Sequence, residues 1–158
     1  MTLCAASATM GACGSIERDS KMNQRAIKEI VYHFGDASVP PNYHRSYTIT
    51  ATPGKVEIVV DSYGDILAHE EYEITSEQFD DIQRSLERNK IRNCKLSDDE
   101  GCTGGTSESI SCSDDKGKIF SGSVYHCGGK DTGDLCGDIG GFSADVKKLV
   151  PSLGKLLL

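Results

Sequence analysis

The stretch YHRSYTITATPGKVEIVVDSYGDILAHEEYEI, residues 43–74, decides the fold class. From Tyr43 to Ala51, mainly apolar residues alternate with polar ones. This period of two is typical of a strand with one buried face. The turn residues Thr52-Pro-Gly-Lys55 and Ser62-Tyr-Gly-Asp65 then enclose a run of β-branched residues. An apolar run that precedes this stretch indicates a further strand. The sequence therefore predicts a four-stranded antiparallel meander with strands at Ile27–Phe34, Tyr43–Ala51, Val56–Asp61 and Ile66–Ile74.

A helix is predicted directly after this meander. Thr75 and Gln78 fit a capping box, in which the two side chains satisfy free backbone N–H groups of the first helical turn. Phe79, Ile82 and Leu86 follow at the spacing of one buried helix face. Acidic residues near the start and basic residues near the end complement the helix dipole. We therefore expect an amphipathic helix that packs on the sheet.

The second half repeats the order of strands followed by a helix. Two strand-like runs, Ser107–Ser113 and Ile119–His126, flank a turn at Asp114–Gly117 and predict a hairpin. A glycine-rich loop, Cys127–Gly141, leads to a second predicted helix that ends near Pro151. The expected fold class is α+β, with an antiparallel sheet made of the meander and the second hairpin, and with two helices packed on one face. The apolar residues of the second helix are Phe142, Val146, Leu149 and Val150.

Length and charge restrict the class of partner. The chain has 158 residues, a length that suits one globular domain. It carries 24 acidic and 17 basic residues, and the formal net charge is −7. The acidic residues concentrate between Asp65 and Gln83 and between Leu96 and Asp115. Such a charge repels nucleic-acid backbones and anionic membrane surfaces, so we expect no nucleic-acid partner.

The chain begins with small, uncharged and apolar residues that end at Cys13. The four residues Met10-Gly-Ala-Cys13 resemble the lipobox of bacterial lipoprotein signal peptides, in which small residues precede a cysteine. The resemblance implies that residues 1–12 are a signal peptide and that Cys13 carries lipid on its sulfur. Residues 13–25 would then hold the lipidated cysteine and a polar tether, and residues 26–158 a single α+β domain. The resemblance also implies a location in the bacterial cell envelope, with the membrane as a partner through the lipid anchor.

Five further cysteines lie in the expected domain, and most would oxidise in an exported chain. Proximity in the sequence favours Cys94 with Cys102 and Cys127 with Cys136, so that each bridge clamps one glycine-rich loop. Cys112 lies in a predicted strand and would be the buried, unpaired thiol. A crossed pattern, Cys94 with Cys136 or Cys102 with Cys127, is the alternative. We expect no zinc site, because structural zinc ligands are about two to four residues apart and these cysteines are more widely spaced.

Two further patterns could carry chemistry. Asp131, Asp134 and Asp138 supply oxygen atoms for a weak calcium candidate, although their spacing differs from that of an EF-hand. Asp138 can instead cap the second helix. His126 and Cys127 suggest a base and a nucleophile, but adjacent residues in a strand point to opposite faces. We expect ordinary polar roles for these side chains.

The sequence favours a non-enzymatic, lipid-anchored envelope protein with a small disulfide-supported domain that binds an unknown protein or small ligand, without a cofactor. A secreted inhibitor that presents a disulfide-clamped loop to a protease is an alternative hypothesis. A small enzyme that uses Cys112 or Cys127 as nucleophile is a third.

Overall fold

A computed structural model of the protein describes residues 26–96 and 103–158. The predicted signal segment, tether and lipidation site Cys13, and the cysteine Cys102, lie outside these ranges. Helices and strands alternate within them in the predicted general order. The strands are β1 (Glu29–Gly35), β2 (Ser46–Thr52), β3 (Lys55–Ser62), β4 (Asp65–Glu73), β5 (Arg92–Asn93), β6 (Thr106–Asp114), β7 (Gly117–Cys127), β8 (Lys130–Gly133) and β9 (Leu135–Cys136), and the helices are α1 (Ser76–Arg88), α2 (Ile139–Lys147) and α3 (Leu153–Leu156).

Seven strands form one antiparallel sheet in the order β4-β3-β2-β1-β6-β7-β8. The predicted meander is confirmed, since β1, β2, β3 and β4 pair in sequence order. The second hairpin, β6 and β7, adds to the meander because β6 pairs with β1. The sheet is larger than predicted because β8 pairs with β7, and β5 and β9 form a separate two-stranded ribbon.

The strand register sorts side chains onto two faces of the large sheet. Tyr32 lies opposite both Ile49 and Ile110, and Ile49 lies opposite Ile58, so these four residues share one face. All four are fully buried, and the buried side chains of α1 and α2 belong to the same core cluster. The α+β class is therefore confirmed. The opposite face is mainly polar and includes His33, Thr48, Thr50, His69, Ser109 and Ser111.

Helix α1 begins as the sequence predicts. The Thr75 hydroxyl accepts a hydrogen bond from the Gln78 backbone N–H at 3.2 Å, and the Gln78 side chain accepts one from the Thr75 backbone N–H at 2.8 Å. This reciprocal pair confirms the capping box. The predicted stripe of Phe79, Ile82 and Leu86 is buried in the core.

The end of α1 adopts a form that its sequence does not predict. The Ile91 N–H donates to the Leu86 carbonyl at 2.9 Å and the Lys90 N–H donates to the Glu87 carbonyl at 3.0 Å, which is a Schellman motif. Lys90 occupies the left-handed position of that motif with φ of 54°, where glycine is usual. Gly137 packs so closely against this helix end that a Cβ atom at position 137 would lie 2.6 Å from the Lys90 carbonyl oxygen.

The last third of the chain differs from the prediction in detail. The predicted loop Cys127–Gly141 contains two short strands: β8 forms a hairpin with the preceding strand β7, and β9 pairs with the distant strand β5. Helix α2 ends at Lys147 rather than near Pro151, and a short third helix, α3, follows. Leu149 and Val150 are buried as expected, but they lie in the turn after α2.

Candidate functional site

Exposed apolar side chains gather at one end of the sheet. Tyr43, Tyr63, Ile66 and Leu67 are 76%, 56%, 68% and 49% exposed. Tyr43 lies in the loop before β2, not in the strand as predicted, and the other three lie in the β3–β4 turn and the start of β4. We call these four residues the hydrophobic tip. Single exposed apolar residues are ordinary on protein surfaces, whereas several at one end of a sheet are a candidate interaction surface.

The hydrophobic tip and residue 26 lie at opposite ends of the sheet. β1 starts at Glu29 beside Ser113 and finishes at Gly35 beside Ser107. Because neighbouring strands are antiparallel, the loop after β1 and the turn after β3 leave from the same end of the sheet. A strand as long as β1 separates the two ends by about 20 Å. The segment that precedes residue 26 therefore joins the domain far from the tip.

Tyr63 is fixed in place by its surroundings. Its φ is 52° and that of Gly64 is 94°, and left-handed backbone at a tyrosine costs about 1 kcal/mol. The Tyr63 hydroxyl donates to the Val39 carbonyl at 2.6 Å, and its ring stacks on His44 with centroids 3.9 Å apart. His44 is buried, and its Nδ1 has no hydrogen-bond partner within residues 26–96 and 103–158. The tip is thus an ordered surface, held by contacts between two loops.

Acidic groups border the hydrophobic tip. The Asp36 carboxylate accepts hydrogen bonds from the backbone N–H groups of Ala37 and Arg45, each at 2.8 Å. The Asp61 carboxylate accepts one from the Gly64 N–H at 2.9 Å. Asp65 begins the neighbouring strand β4. These carboxylates shape the loops. They outnumber the Arg45 guanidinium, which donates to the His44 carbonyl at 2.7 Å, so this end of the sheet has an excess of negative charge.

A second constellation surrounds His126 on the helix-covered face of the sheet. The His126 Nε2 lies 2.9 Å from a Glu108 carboxylate oxygen, and its Nδ1 lies 3.0 Å from an Asp131 carboxylate oxygen. Both ring nitrogens can donate only in the protonated imidazole, so this pairing favours the cation. Burial lowers the pKa of His126, but the hydrogen bonds to Asp131 and Glu108 outweigh burial, and the net pKa is raised.

The His126 constellation extends into the core. The Tyr32 hydroxyl donates to the second carboxylate oxygen of Glu108 at 2.5 Å. Burial and this bond raise the pKa of Tyr32 far above its usual range, so the phenol stays neutral. Each side chain in the series from Tyr32 through Glu108 and His126 to Asp131 thus has at least one hydrogen-bonding partner. Such a network ties β1, β6, β7 and β8 together, and it is a structural element of this half of the sheet.

A third group lies on the opposite, polar face, at the edge formed by β3 and β4. The ligand atoms of Glu57, His69 and Glu71 all lie within 4.8 Å of one another. The His69 Nε2 is 2.8 Å from a Glu57 carboxylate oxygen. The Lys55 ammonium donates to Glu71 at 2.9 Å, which raises the pKa of Lys55 and lowers that of Glu71. The sequence carried a signal for this group, since residues 69 and 71 of a strand project to the same face.

The predicted calcium candidate separates into three structural roles. Asp131 bonds His126, whereas the Asp134 carboxylate accepts from the Ser123 N–H at 2.8 Å. Asp138 accepts from the Gly141 N–H at 2.8 Å and caps α2, as the alternative interpretation predicts. Among the described residues, the three aspartates form no group of converging metal ligands.

The pairing of the cysteines is the crossed one. Cys94 is bonded to Cys136, so the pairing of nearest neighbours is wrong. The ribbon of β5 and β9 brings these residues together, since Arg92 lies opposite Cys136. The bridge closes neither glycine-rich loop on itself, and the clamped loop that an inhibitor would present from Cys94 or Cys136 is not formed.

The other two cysteines in the described ranges are unsuited to nucleophilic catalysis. Cys112 is free and buried, as predicted, and burial raises the pKa of its thiol to about 12. A nucleophilic cysteine requires a thiolate near neutral pH. Cys127 is disulfide-bonded, so it offers no thiol beside His126.

A cavity of 240 Å³ between α1 and α2 completes the candidate sites. Its two cationic groups share one carboxylate, because Asp145 accepts from Arg88 at 2.6 Å and from Lys148 at 2.8 Å. The same carboxylate accepts from the buried Ser85 hydroxyl at 2.8 Å. This arrangement joins the two helices.

Comparison with protein-family models, curated proteins and solved structures gives no match to this chain. None of the helices within the described ranges is both long enough and apolar enough to cross a membrane. Function must therefore be argued from the surfaces and side chains themselves.

Proposed function

We propose that this chain is a non-enzymatic, lipid-anchored protein of the bacterial cell envelope whose domain binds a protein partner through the hydrophobic tip. The position of that tip carries the proposal. Exposed aromatic and aliphatic side chains gather at the end of the sheet that lies farthest from residue 26. A domain attached at one end and apolar at the other is arranged to present its apolar end outward.

The anchor rests on the lipobox-like residues that end at Cys13. Lipid on that sulfur would hold the domain through residues 13–25, which reach about 40 Å when extended. The Cys94–Cys136 bridge supports export, because structural disulfides form mainly in oxidising compartments. The tether would enter beside β1, at the end of the sheet remote from the hydrophobic tip.

The chemistry of the tip defines the partner. Tyrosine is among the side chains that supply most of the binding energy in protein interfaces, and neighbouring apolar side chains exclude water from such contacts. The carboxylates of Asp36, Asp61 and Asp65 border the tip and favour a positively charged surface opposite. The partner is therefore a protein with an apolar pocket bordered by lysine or arginine side chains.

The anchor is tested by metabolic labelling with a fatty acid in a bacterial host. Wild type and Cys4→Ala are expected to take up label and to sediment with membranes, because Cys4 would leave with the signal peptide. Cys13→Ala is expected to lose both properties. Label or membrane association that persists in Cys13→Ala refutes the anchor without bearing on the tip.

The partner is tested by site-specific photocrosslinking in cells. A photoreactive residue at position 67 is expected to give one defined adduct, whose crosslinked peptide carries basic residues beside apolar ones. The matched control places the same residue at position 118, in the exposed part of β7 at the opposite end of the sheet. Tyr63→Ser should abolish the adduct from position 67. Equal adducts from positions 67 and 118, or none from either, contradict the proposed binding surface.

A further inference from the structure

We propose that Glu57, His69 and Glu71 form a surface binding site for a divalent transition metal, with Zn²⁺ as the preferred ion. This site is independent of the hydrophobic tip and of the lipid anchor. It lies on the polar face of the sheet, at the edge strand β4 and its neighbour β3.

The backbone register places the three side chains together. Glu57 lies directly opposite Glu71 in the β3–β4 pair, and His69 lies opposite Val59, two residues along from Glu57 on β3. Residues two apart in a strand point to the same side of the sheet. The three side chains therefore converge because of how the strands pair.

The side-chain geometry fits a zinc ion. Ligand atoms around tetrahedral zinc lie about 3.3–3.6 Å apart when the bonds are about 2.0–2.2 Å long. The imidazole nitrogen of His69 and the carboxylate oxygens of Glu57 and Glu71 are within 4.8 Å of one another, so small rotations bring them to this spacing. Three protein ligands leave a fourth position for water, and solvent can reach it because His69 and Glu71 are half exposed.

The composition of the site distinguishes the metal. One imidazole with two carboxylates suits zinc and its transition-metal neighbours, whereas calcium and magnesium select oxygen ligands alone. The local charge also attracts a cation. Glu73 lies opposite Lys55 beside the site, so three carboxylates face one ammonium when His69 is neutral.

Lys55 occupies part of the site in the metal-free protein. Its ammonium lies 2.9 Å from Glu71 and 3.9 Å from Glu57, so it offsets part of the repulsion between these two carboxylates across the strands. A metal ion displaces this ammonium, which sits on a flexible and half-exposed side chain. Zinc and Lys55 therefore compete for Glu71.

Isothermal titration of the metal-free full chain, with its disulfides intact, tests the site. One Zn²⁺ per chain is expected, with binding lost in His69→Gln and weakened by at least about tenfold in Glu71→Gln. Lys55→Gln should bind zinc about two- to fivefold more tightly, since a competing exposed ion pair is removed. Glu73→Gln is the matched control, because it removes the same charge from the same face of β4 but no ligand. It should change the affinity by less than about threefold.

Two readouts distinguish direct coordination of zinc by His69 from diffuse attraction to the acidic surface. Co²⁺ in place of Zn²⁺ should give visible absorption bands that disappear in His69→Gln, and the His69 ring resonances should shift on titration. Circular dichroism of each variant reports folding. Equal weakening by Glu73→Gln and His69→Gln indicates diffuse attraction and overturns the proposal. Loss of zinc in His126→Gln with retention in His69→Gln assigns binding to the other histidine cluster and overturns it as well.

Discussion

The strands on the two sides of β1 are stabilised by different means. On one side, β2 and β3 bury apolar side chains at alternate positions along their whole length: Tyr47, Ile49, Ala51, Val56, Ile58 and Val60. On the other side, β6, β7 and β8 bury fewer apolar groups, namely Ile110, Cys112, Phe120 and Val124. Gly122 leaves a gap in the apolar series of β7, which Leu135 of β9 fills.

The second side compensates with covalent and ionic contacts. The Cys94–Cys136 bridge lies beside it, and the network of Tyr32, Glu108, His126 and Asp131 ties its strands to β1. One sheet thus combines a half stabilised by hydrophobic burial with a half stabilised by cross-links. The two halves should respond differently to the same perturbation.

The largest effect is expected from removing the disulfide. Cys94→Ala with Cys136→Ala opens a loop that spans a sequence separation of 42. Loop-entropy arithmetic gives a loss of about 4 kcal/mol in the free energy of unfolding. Urea denaturation measures the loss, and hydrogen exchange should increase in β8, β9 and α2 more than in β2 and β3. A uniform increase in hydrogen exchange across both halves would show that the disulfide does not stabilise the second half in particular.

A core truncation tests the hydrophobic half. Ile58 is fully buried in β3, and Ile58→Ala should lower the free energy of unfolding by about 3 kcal/mol because it leaves a cavity. Ile58→Val is the graded control and should cost about 1 kcal/mol. Here hydrogen exchange should increase first in β2 and β3. A loss below about 1 kcal/mol in the alanine variant would show that burial of apolar side chains does not stabilise this half.

The ionic network is tested through pH. Because the pKa of His126 is raised in the folded protein, its stabilising contribution is fully present below the unfolded value of about 6.5 and is lost as pH rises through the folded value. The difference in unfolding free energy between wild type and His126→Gln should be about 1 kcal/mol near pH 6 and should shrink towards pH 8.5. His33→Gln, a histidine on the opposite face, is the control. A pH-independent difference would show that the protonated imidazole contributes nothing.

The smallest effect concerns the end of α1, against which Gly137 packs. Lys90→Gly should raise the free energy of unfolding by about 0.5–1 kcal/mol, since glycine adopts φ near 54° without strain. Lys90→Ala keeps the strain while it removes the side chain, so it should leave stability unchanged. Thermal unfolding of both variants measures the difference. A gain in both would assign the effect to the lysine side chain rather than to the backbone.

The features that were predictable from sequence depend on local signals. The meander follows from alternation and turn residues, and α1 follows from Thr75, Gln78 and its apolar stripe. The buried free thiol of Cys112 follows from its place in a strand. Each of these signals lies within about ten consecutive residues, where periodicity and capping operate.

The features that were missed depend on distant residues. β5 and β9 have two residues each and exist because they pair with each other. The helix end at Lys90 lacks the glycine that would mark it, and Gly137, which packs there, lies 47 positions later in the chain. The hydrophobic tip and the Glu57–His69–Glu71 group likewise join residues from neighbouring strands or loops. The sequence shows that His69 and Glu71 share one face of a strand. It does not show the β3–β4 register, which places Glu57 beside them.

The crossed bridge has a consequence for the order of maturation. Between Cys94 and Cys136 the chain passes through β6, β7 and β8, so the two thiols approach each other after these strands have turned back on themselves. An oxidant that joins cysteines in the order in which they emerge would link Cys94 to Cys102 first. We therefore expect the native bridge to form late, after the sheet has assembled. Its correct formation should require thiol exchange in the compartment where the chain matures.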